Sequence, residues 1–596
     1  MRNALVLAMT LAASALHAQG SQRAYQSDAR LKAPITMRAK IVSLADFTGQ
    51  LQKLTKVHFD VAPDIADRKM TAIFHDRPVQ EVMGAVQSAM FMQWRKAGNG
   101  YSLFLPDKAA LDEQELIKAE NEAIRGGLLE GLKTYAEIAG LSKDEIARRE
   151  GLIKSQIDAL RQDSSPEAQQ KLLSLQFQRS AYHSRSGPAI CKALGGDLPT
   201  IVDSMLTGKT IFGSTRLGTT AVNLPQELLD KVREEHPEGA EVIVAMRYDD
   251  AQEALVGRTT MSSSDPHRGT MGFDFFSCHP DLGSPDVQSS KLLATLRKWP
   301  EVADSTVLDK VVSAEGPVEA SPGFQSFSDS KGFTLAEHLE YIADHANIPV
   351  IGDAFRVYCS ANQYRTEKTV DDYVLGLRNS KRNARSLQSP PIGYFTANKG
   401  WLFVRHESYW RRQLREIPES LLLPLEAIAQ TKDFPSTSDY AALAGSLTFD
   451  QKSSISMMDS AFKFDPSPLG MAFNSLRLWS TLSADQQSAA QGAGLKLSDI
   501  SPNQATIVLD GWADKMWDGK LPAPIWDTFL SKRGLVDLTP VLKYQCMDYV
   551  APGIARRPLP PGAIAPKGPR EQVLFEYDID PGMQMNDIYV IGKAHP

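Results

Sequence analysis

Over residues 34–106 the apolar positions switch repeatedly between the alternation of a strand and the three- and four-residue spacing of a helix, and no run is long enough to bury itself. PITMRAKIV reads as a short strand, and Leu44, Phe47, Leu51 and Leu54 set one apolar face on a helix over 44–55. Val57, Phe59 and Val61 then alternate, as do the apolar residues of MTAIF, which predicts two strands that each bury one face. Pro78 stands where a first helical turn accepts proline, and Val79, Val82, Met83 and Val86 continue a second helical face. FMQWRK, the turn signal GNG and YSLFL close the segment as a hairpin. Elements this short must share one small core, which restricts the segment to a compact α/β unit.

The order and wording of this segment resemble the short N-terminal (STN-like) domain shared by secretins and TonB-dependent receptors. The resemblance is carried by L-x-x-F-x-x-Q-L-x-x-x-T from Leu44, by VAPDIADRKMTAIFHDRPVQEVMGAV, and by a final strand-turn-strand with Trp94 and Tyr101. It implies a small βα sandwich that docks protein partners in the periplasm and brings no catalytic residues. The remainder of the chain lacks the long series of amphipathic strands that a secretin or receptor barrel needs, so the unit reads as a borrowed module.

A second STN-like unit is expected over residues 333–410. A constant offset of 291 maps Leu44 onto Leu335, Leu51 onto Ile342, Val57 and Phe59 onto Ile348 and Val350, and Val79, Val82 and Val86 onto Val370, Tyr373 and Leu377. Beyond an insertion, an offset of 300 maps Trp94 onto Tyr394 and Gly100-Tyr101 onto Gly400-Trp401. Identities are few, and two unrelated units of the same element order would also agree to this extent.

Residues 107–187 read as a charged helical region in hairpin order. It has a capping-box form at Ser142–Glu145, proline inside a helix start at Ser165-Pro166-Glu167, and an apolar stripe of Leu128, Leu132, Tyr135 and Ile138. Such a stripe is read as intramolecular core, with a spacer that projects the N-terminal unit as the alternative. Residues 188–312 read as a mixed α/β domain with VIVAMRYDD, EALVGRTTM and GTMGFDFF as strands, and the Ser-, Gly- and Pro-rich 313–332 as a linker. Residues 411–596 read as an α+β region with helices first and strands around a proline-rich loop at the end. The fold class expected is α+β and multidomain, with a small βα-sandwich module, a helical spacer and further mixed α/β domains. At roughly 100–200 residues per domain, 596 residues correspond to three to five domains.

Residues 1–18 have the layout of a secretory signal peptide: Arg2, an apolar run from Ala4 to Leu16 too short to span a bilayer, and small residues leading to a cut after Ala18 or Ala15. Export to the periplasm or beyond is expected, with no transmembrane segment after cleavage. A net charge of −6 argues against a nucleic-acid partner. Cys191, Cys278, Cys359 and Cys546 contain no C-x-x-C pair; an oxidising compartment permits three full pairings, the sequence selects none, and buried free thiols fit equally well.

The search for linear chemistry is negative for nucleotide loops, the G-x-S-x-G elbow and H-E-x-x-H. His338 and His345 share a helix face two turns apart and read as histidines beside a packed helix rather than metal ligands. Asp578, Asp580, Asn586 and Asp587 around Pro581-Gly582 fail the spacing of a calcium loop and read as a solvated turn between strands. His267-Arg268 and Cys278-His279 flank GTMGFDFF, but neighbours on a strand point to opposite faces, which disfavours a thiol–imidazole pair. Arg405, Arg411, Arg412 and Arg415, with Tyr409 and Trp410, make the most cationic patch; it reads as a solvated helix face paired with Glu407, Glu416 and Glu419, the alternative being a surface for an acidic polymer or anionic lipid. No catalytic, cofactor-binding or metal-binding residue is assigned. Two functions follow: a non-enzymatic envelope protein that binds an envelope protein partner through its STN-like module, or an exported hydrolase of envelope or extracellular polymers whose site, most plausibly within 188–312, leaves no linear motif.

Overall fold

The computed structural model describes residues 25–161, 166–184, 187–208, 211–214, 222–223, 230, 239–249, 254–263, 270–278, 285–313, 335–353, 367–378, 393–406, 408–431, 435–448, 451–452, 455, 464–517, 541–548, 570–580 and 583–592. The signal-peptide segment, the linker beyond Ser313, the proline-rich loop, Cys359, His267, Arg268 and His279 lie outside these residues. The fold is α+β and multidomain, with several sheets and helices packed on them.

The first unit contains β1 (Pro34–Ser43), α1 (Leu44–Thr55), β2 (Phe59–Val61), β3 (Lys69–Pro78), α2 (Val79–Met90), β4 (Gln93–Ala97) and β5 (Gly100–Phe104). Ser43 caps α1 by accepting the Asp46 N–H, and Lys56 ends it in the left-handed region at φ 62°. Leu44, Phe47 and Leu51 are buried, whereas Leu54, expected on the same face, is half exposed. Trp94 is fully buried and donates its indole N–H to the Met83 carbonyl at 3.0 Å, which ties β4 to α2. β1 pairs antiparallel with β3; β2 pairs parallel with β5, and β5 antiparallel with β4.

A long helix, α3 (Asp107–Ile138), leaves this unit. Its Leu116 belongs to the first unit's core, while Ile124, Leu128, Leu132, Tyr135 and Ile138 enter a separate core with α6 (Gly187–Leu194), α7 (Leu198–Leu206) and a five-stranded sheet. The expected apolar stripe is therefore internal. α4 (Lys143–Leu160), capped by Ser142, and α5 (Pro166–His183) pack on each other around Ile153, Ile157 and Leu175. The sheet runs in the order β10-β9-β8-β6-β7, from β6 (Ile211–Ser214), β7 (Val222–Asn223), β8 (Gly239–Asp249), β9 (Ala254–Ser263) and β10 (Thr270–Cys278). Cys278 and Cys191 are both buried free thiols in this core. Cys278 lies against Gly131 of α3 so closely that a Cβ there would fall 1.9 Å from Sγ.

The chain then returns to the first unit. α8 (Lys291–Arg297) sends Leu292, Leu293 and Leu296 into its core, and a second set of elements follows: β11 (Val311–Val312), α9 (Leu335–Ala346), β12 (Val350–Asp353), β13 (Lys368–Thr369), α10 (Val370–Arg378), β14 (Tyr394–Asn398) and β15 (Trp401–Arg405). Their pairing matches the first unit strand for strand: β11 antiparallel with β13, β12 parallel with β15, and β15 antiparallel with β14. The correspondence extends to individual groups. Asn347 ends α9 at φ 49° where Lys56 ends α1. Tyr101 N–H donates to the His58 carbonyl and Leu402 N–H to that of Pro349; Val79 N–H donates to Ala33 and Val370 N–H to Lys310. The hairpin register falls one residue beyond the spacing read from sequence, so that Trp94 corresponds to buried Phe395 rather than Tyr394.

The two units share one sheet. β3 also pairs antiparallel with β12, giving the order β1-β3-β12-β15-β14. Lys69 to Phe74 of β3 are consequently all buried, which replaces the one-faced alternation expected of MTAIF, because an interior strand with both faces covered has no solvent side.

The C-terminal region packs α13 (Thr437–Ser446), α14 (Ser467–Thr481), α15 (Ala484–Gln491) and α16 (Pro502–Trp517) on an antiparallel sheet of β16 (Leu495–Lys496), β17 (Val541–Asp548), β18 (Arg570–Asp580) and β19 (Met583–Gly592). It is preceded by α11 (Tyr409–Arg415) and α12 (Glu419–Gln430).

The close approach of β10 to α3 sets a paired expectation. Gly131→Ala will lower stability by about 1–3 kcal/mol through overpacking, whereas Gly126→Ala, on the same helix with open space around its Cα, will raise it by about 0.5–1 kcal/mol. Adding Cys278→Ala will recover much of the first loss, as read from urea unfolding midpoints.

Candidate functional site

The best-built polar constellation lies at the seam between the two units, where the strands β12 and β15 each end in a charged residue. Arg405 is fully buried; its Nε donates to Asp353 Oδ2 at 2.6 Å and its Nη1 to the Ala89 carbonyl at 2.8 Å, in the last turn of α2. Asp353 Oδ2 also accepts the His406 backbone N–H at 3.1 Å. The guanidinium lies over the Tyr409 ring at 3.5 Å, with Phe91 at 5.5 Å on the first unit's side. Burial works against the Arg405 charge, but Asp353, with Tyr409 and Glu113 close by, outweighs it and raises the guanidinium above its ordinary value. One side chain of the second unit thereby holds its own carboxylate and the negative end of a first-unit helix.

Two acids of α3 extend this knot. Glu113 takes a two-pronged contact from Arg68, at 3.3 and 3.0 Å, and Glu120 accepts the Trp410 indole N–H at 2.9 Å with Arg411 Nε at 3.7 Å. The arginine-rich segment is therefore not a solvated helix face, nor a free anionic-ligand surface as a whole. Arg405, Tyr409 and Trp410 are buried, Arg411 is largely so, and Arg412 and Arg415 are half-buried. Glu416, expected as a solvated partner, is itself buried. The segment could have been read differently from one signal: Arg405 and Asp353 each terminate an apolar strand run, WLFVR and VIGD, where a single charge needs a buried partner.

The remaining residues singled out in the sequence do not converge. His338 is buried with Nδ1 2.9 Å from the Tyr373 hydroxyl, while His345 stacks on Tyr341 at 4.0 Å and contacts Ser313 Oγ at 3.1 Å. Burial pushes the His338 imidazole down to about 3. The first unit has Phe47 and Val82 at the equivalent positions, so the second unit has exchanged an apolar contact for a hydrogen-bonded one. Asp587 is not part of a solvated turn: it lies in β19, is buried, and accepts Ser475 Oγ at 2.6 Å, with the Tyr577 hydroxyl 2.8 Å from the same oxygen. This Ser–Asp–Tyr set is closed off within the C-terminal core and presents no nucleophile to solvent. Asp514, partly exposed, gathers Lys452, Asn474 Nδ2 at 2.8 Å and Arg247 of β8 at 3.5 Å, an ion network joining the middle sheet to the C-terminal helices. Cys278 and Cys191 are buried, and burial raises both thiols. Among the described residues no cluster of three or more His, Cys, Asp or Glu side chains is placed to hold a metal ion, and no helix is long and apolar enough to cross a membrane. Compared with family models, curated proteins and solved structures, the chain matches none.

The knot predicts a non-additive pair. Arg405→Met will cost about 3–5 kcal/mol because Asp353 is left buried and unpaired, and Arg405→Met/Asp353→Ala will be more stable than the single variant in urea unfolding. A second expectation concerns pH. His338 stays neutral in the fold while the unfolded chain protonates near its ordinary value of 6.5, so stability falls as pH drops from about 6.5 towards 3. His338→Phe/Tyr373→Phe will flatten that part of the pH–stability curve, by on the order of 4 kcal/mol at its acid end.

Proposed function

We propose that this is an exported cell-envelope protein without enzymatic activity, which binds an envelope protein partner through a docking body made of two STN-like units. The observation that carries this reading is the repeated strand pairing: the element order that resembles a periplasmic docking module at 34–106 recurs at 311–405, and the two are joined edge to edge in one sheet. The signal-peptide layout of residues 1–18 supports the location. The seam residues serve position rather than reaction, since Arg405, Asp353, Glu113 and Glu120 are spent on one another and on backbone groups. On this reading the middle domain and the α4–α5 hairpin set the distance between the docking body and the C-terminal region.

Two measurements test it. The mature protein recovered from the envelope fraction of its own cells will begin at Gln19 or Leu16; an intact Met1 in the cytoplasmic fraction contradicts export. Crosslinking and affinity capture of the tagged full-length chain will recover one defined envelope protein, and Arg405→Met, which opens the seam, will lose it. Deleting 34–106 would not serve as the control, because it strips β3 from β12 and exposes the interior of the shared sheet. Recovery of nothing specific with the intact chain overturns the docking reading.

A further inference from the structure

Two buried thiols of the middle core converge on one glycine of α3. Cys278 ends β10, and its Sγ lies 3.8 Å from the Gly127 and Leu128 carbonyls, over the gap that Gly131 leaves, where a Cβ would fall 1.9 Å from it. Cys191 arrives along α6. A Cβ at Gly187, the first residue of α6, would lie 3.0 Å from the Tyr135 ring, and Asp203 of α7 accepts Arg125 Nε at 2.5 Å. The stretch from Gly187 to Asp203 therefore runs antiparallel to α3, from Tyr135 back to Arg125. Cys191 stands one turn beyond Gly187 on the same face of α6, and Gly131 one turn before Tyr135 on the same face of α3. Antiparallel packing sets these two positions opposite each other, which brings Cys191 alongside Cys278. Tyr135 binds both approaches together: its ring lies against α6, and its hydroxyl donates at 3.1 Å to the carbonyl of Ser277, the residue before Cys278. Burial is the main cause that raises both thiols, and Cys278 adds to the rise at Cys191, as both cysteines do at Tyr135. Cys546 belongs to β17 of the C-terminal sheet, away from this core.

We propose that Cys191 and Cys278 are a disulfide pair, a covalent clasp that closes the middle domain on itself. The loop between them holds α7 and all five strands, β6 to β10, so the bond ties α6 to the last strand of the sheet and constrains the unfolded chain as well. The chemistry is thiol–disulfide exchange, with a small or protein disulfide as the oxidant. One cysteine thiolate attacks a sulfur of the oxidant, releases one thiol and leaves a mixed disulfide. The second cysteine attacks the protein sulfur of that bond, forms the Cys191–Cys278 link and releases the second thiol. Two protons and two electrons thus pass from the cysteines to the oxidant, whose disulfide is reduced to two thiols. The seated α6 keeps both thiols buried and protonated, so the exchange belongs to folding, before α6 closes on α3. An oxidising compartment supplies the oxidant; formation of the bond in the cell therefore rests on the export reading, whereas the pairing rests on geometry alone.

The test takes the full-length chain, unfolded and reduced in urea, refolds it in a buffer of reduced and oxidised glutathione, and digests it with trypsin without reduction. Mass spectrometry will find residues 186–192 joined to 269–291, a species lost on reduction. The oxidised protein will unfold at a higher urea concentration than the reduced one, and Cys191→Ser will abolish that difference. Should Cys191→Ser fail to fold, Cys359→Ser/Cys546→Ser keeps both partners: its denatured form will take a maleimide label on each remaining thiol before oxidation and none after. Free thiols in that variant after refolding in the same buffer, or Cys191 or Cys278 joined to Cys359 or Cys546 in the unsubstituted chain, overturns the proposal. Protein alkylated as it is taken from its own cells will carry the same linked peptides; alkylated Cys191 and Cys278 there, beside an intact bond in the refolded chain, contradict export and leave the pairing standing.

Discussion

The antiparallel pairing of β3 with β12 is the contact on which the rest of the architecture depends. It joins residues 70–73 to 350–353 and makes one sheet from strands of both units. Everything between, from α3 through the middle sheet to α8, is an insertion whose ends must return to the same place. Such a contact forms only after a long loop has closed, and the entropy of closure has to be met by what the seam buries. The seam supplies this with β3 as a fully covered central strand and with Arg405 bound to its own carboxylate and to the end of α2.

The two units therefore share a plan but not a role. At the position of the core residue Phe47 the second unit has His338, and at Ala62 and Phe104 it has Asp353 and Arg405. Buried polar groups are tolerable only when they find partners, and each of these does: the imidazole on Tyr373, the ion pair across the strand ends. The Arg405–Asp353 pair lies where the second unit is held against the first, whereas the His338–Tyr373 bond ties two helices within the second unit. In the first unit the polar side chains Gln52 and Asp60 instead accept the Phe59 and Val61 N–H groups along β2.

Much of this was readable in advance where the signal was local. The helices over 44–55 and from Val79, the hairpin around GNG and the apolar stripe of α3 follow from periodicity and capping chemistry, and the structure has them. The misreadings share one cause. MTAIF looked half-exposed, Arg405 to Trp410 looked solvated, and Asp587 looked like a turn residue, because each assignment assumed that the nearest sequence neighbours were the surroundings. In each case the covering group comes from far along the chain: β12 and α9 for β3, α2 and α3 for the arginine segment, Ser475 for Asp587. The one-residue error in the hairpin equivalence arose in the same way, since only hydrogen-bond register distinguishes Tyr394 from Phe395 as the counterpart of Trp94.

By itself the sequence determined the element order of the first unit and the α+β class, because periodicity, caps and turn residues act over a few positions and leave their mark in composition; the equivalence of the two distant segments it raised without deciding, and matched strand pairing supplied it. Tertiary structure alone decided that the two units are one sheet, that the cationic segment is an internal knot, and which strand edge is paired with a strand and which is met by side chains. Those outcomes depend on which backbone donors meet a strand and which meet a side chain, and that is a property of pairing in space.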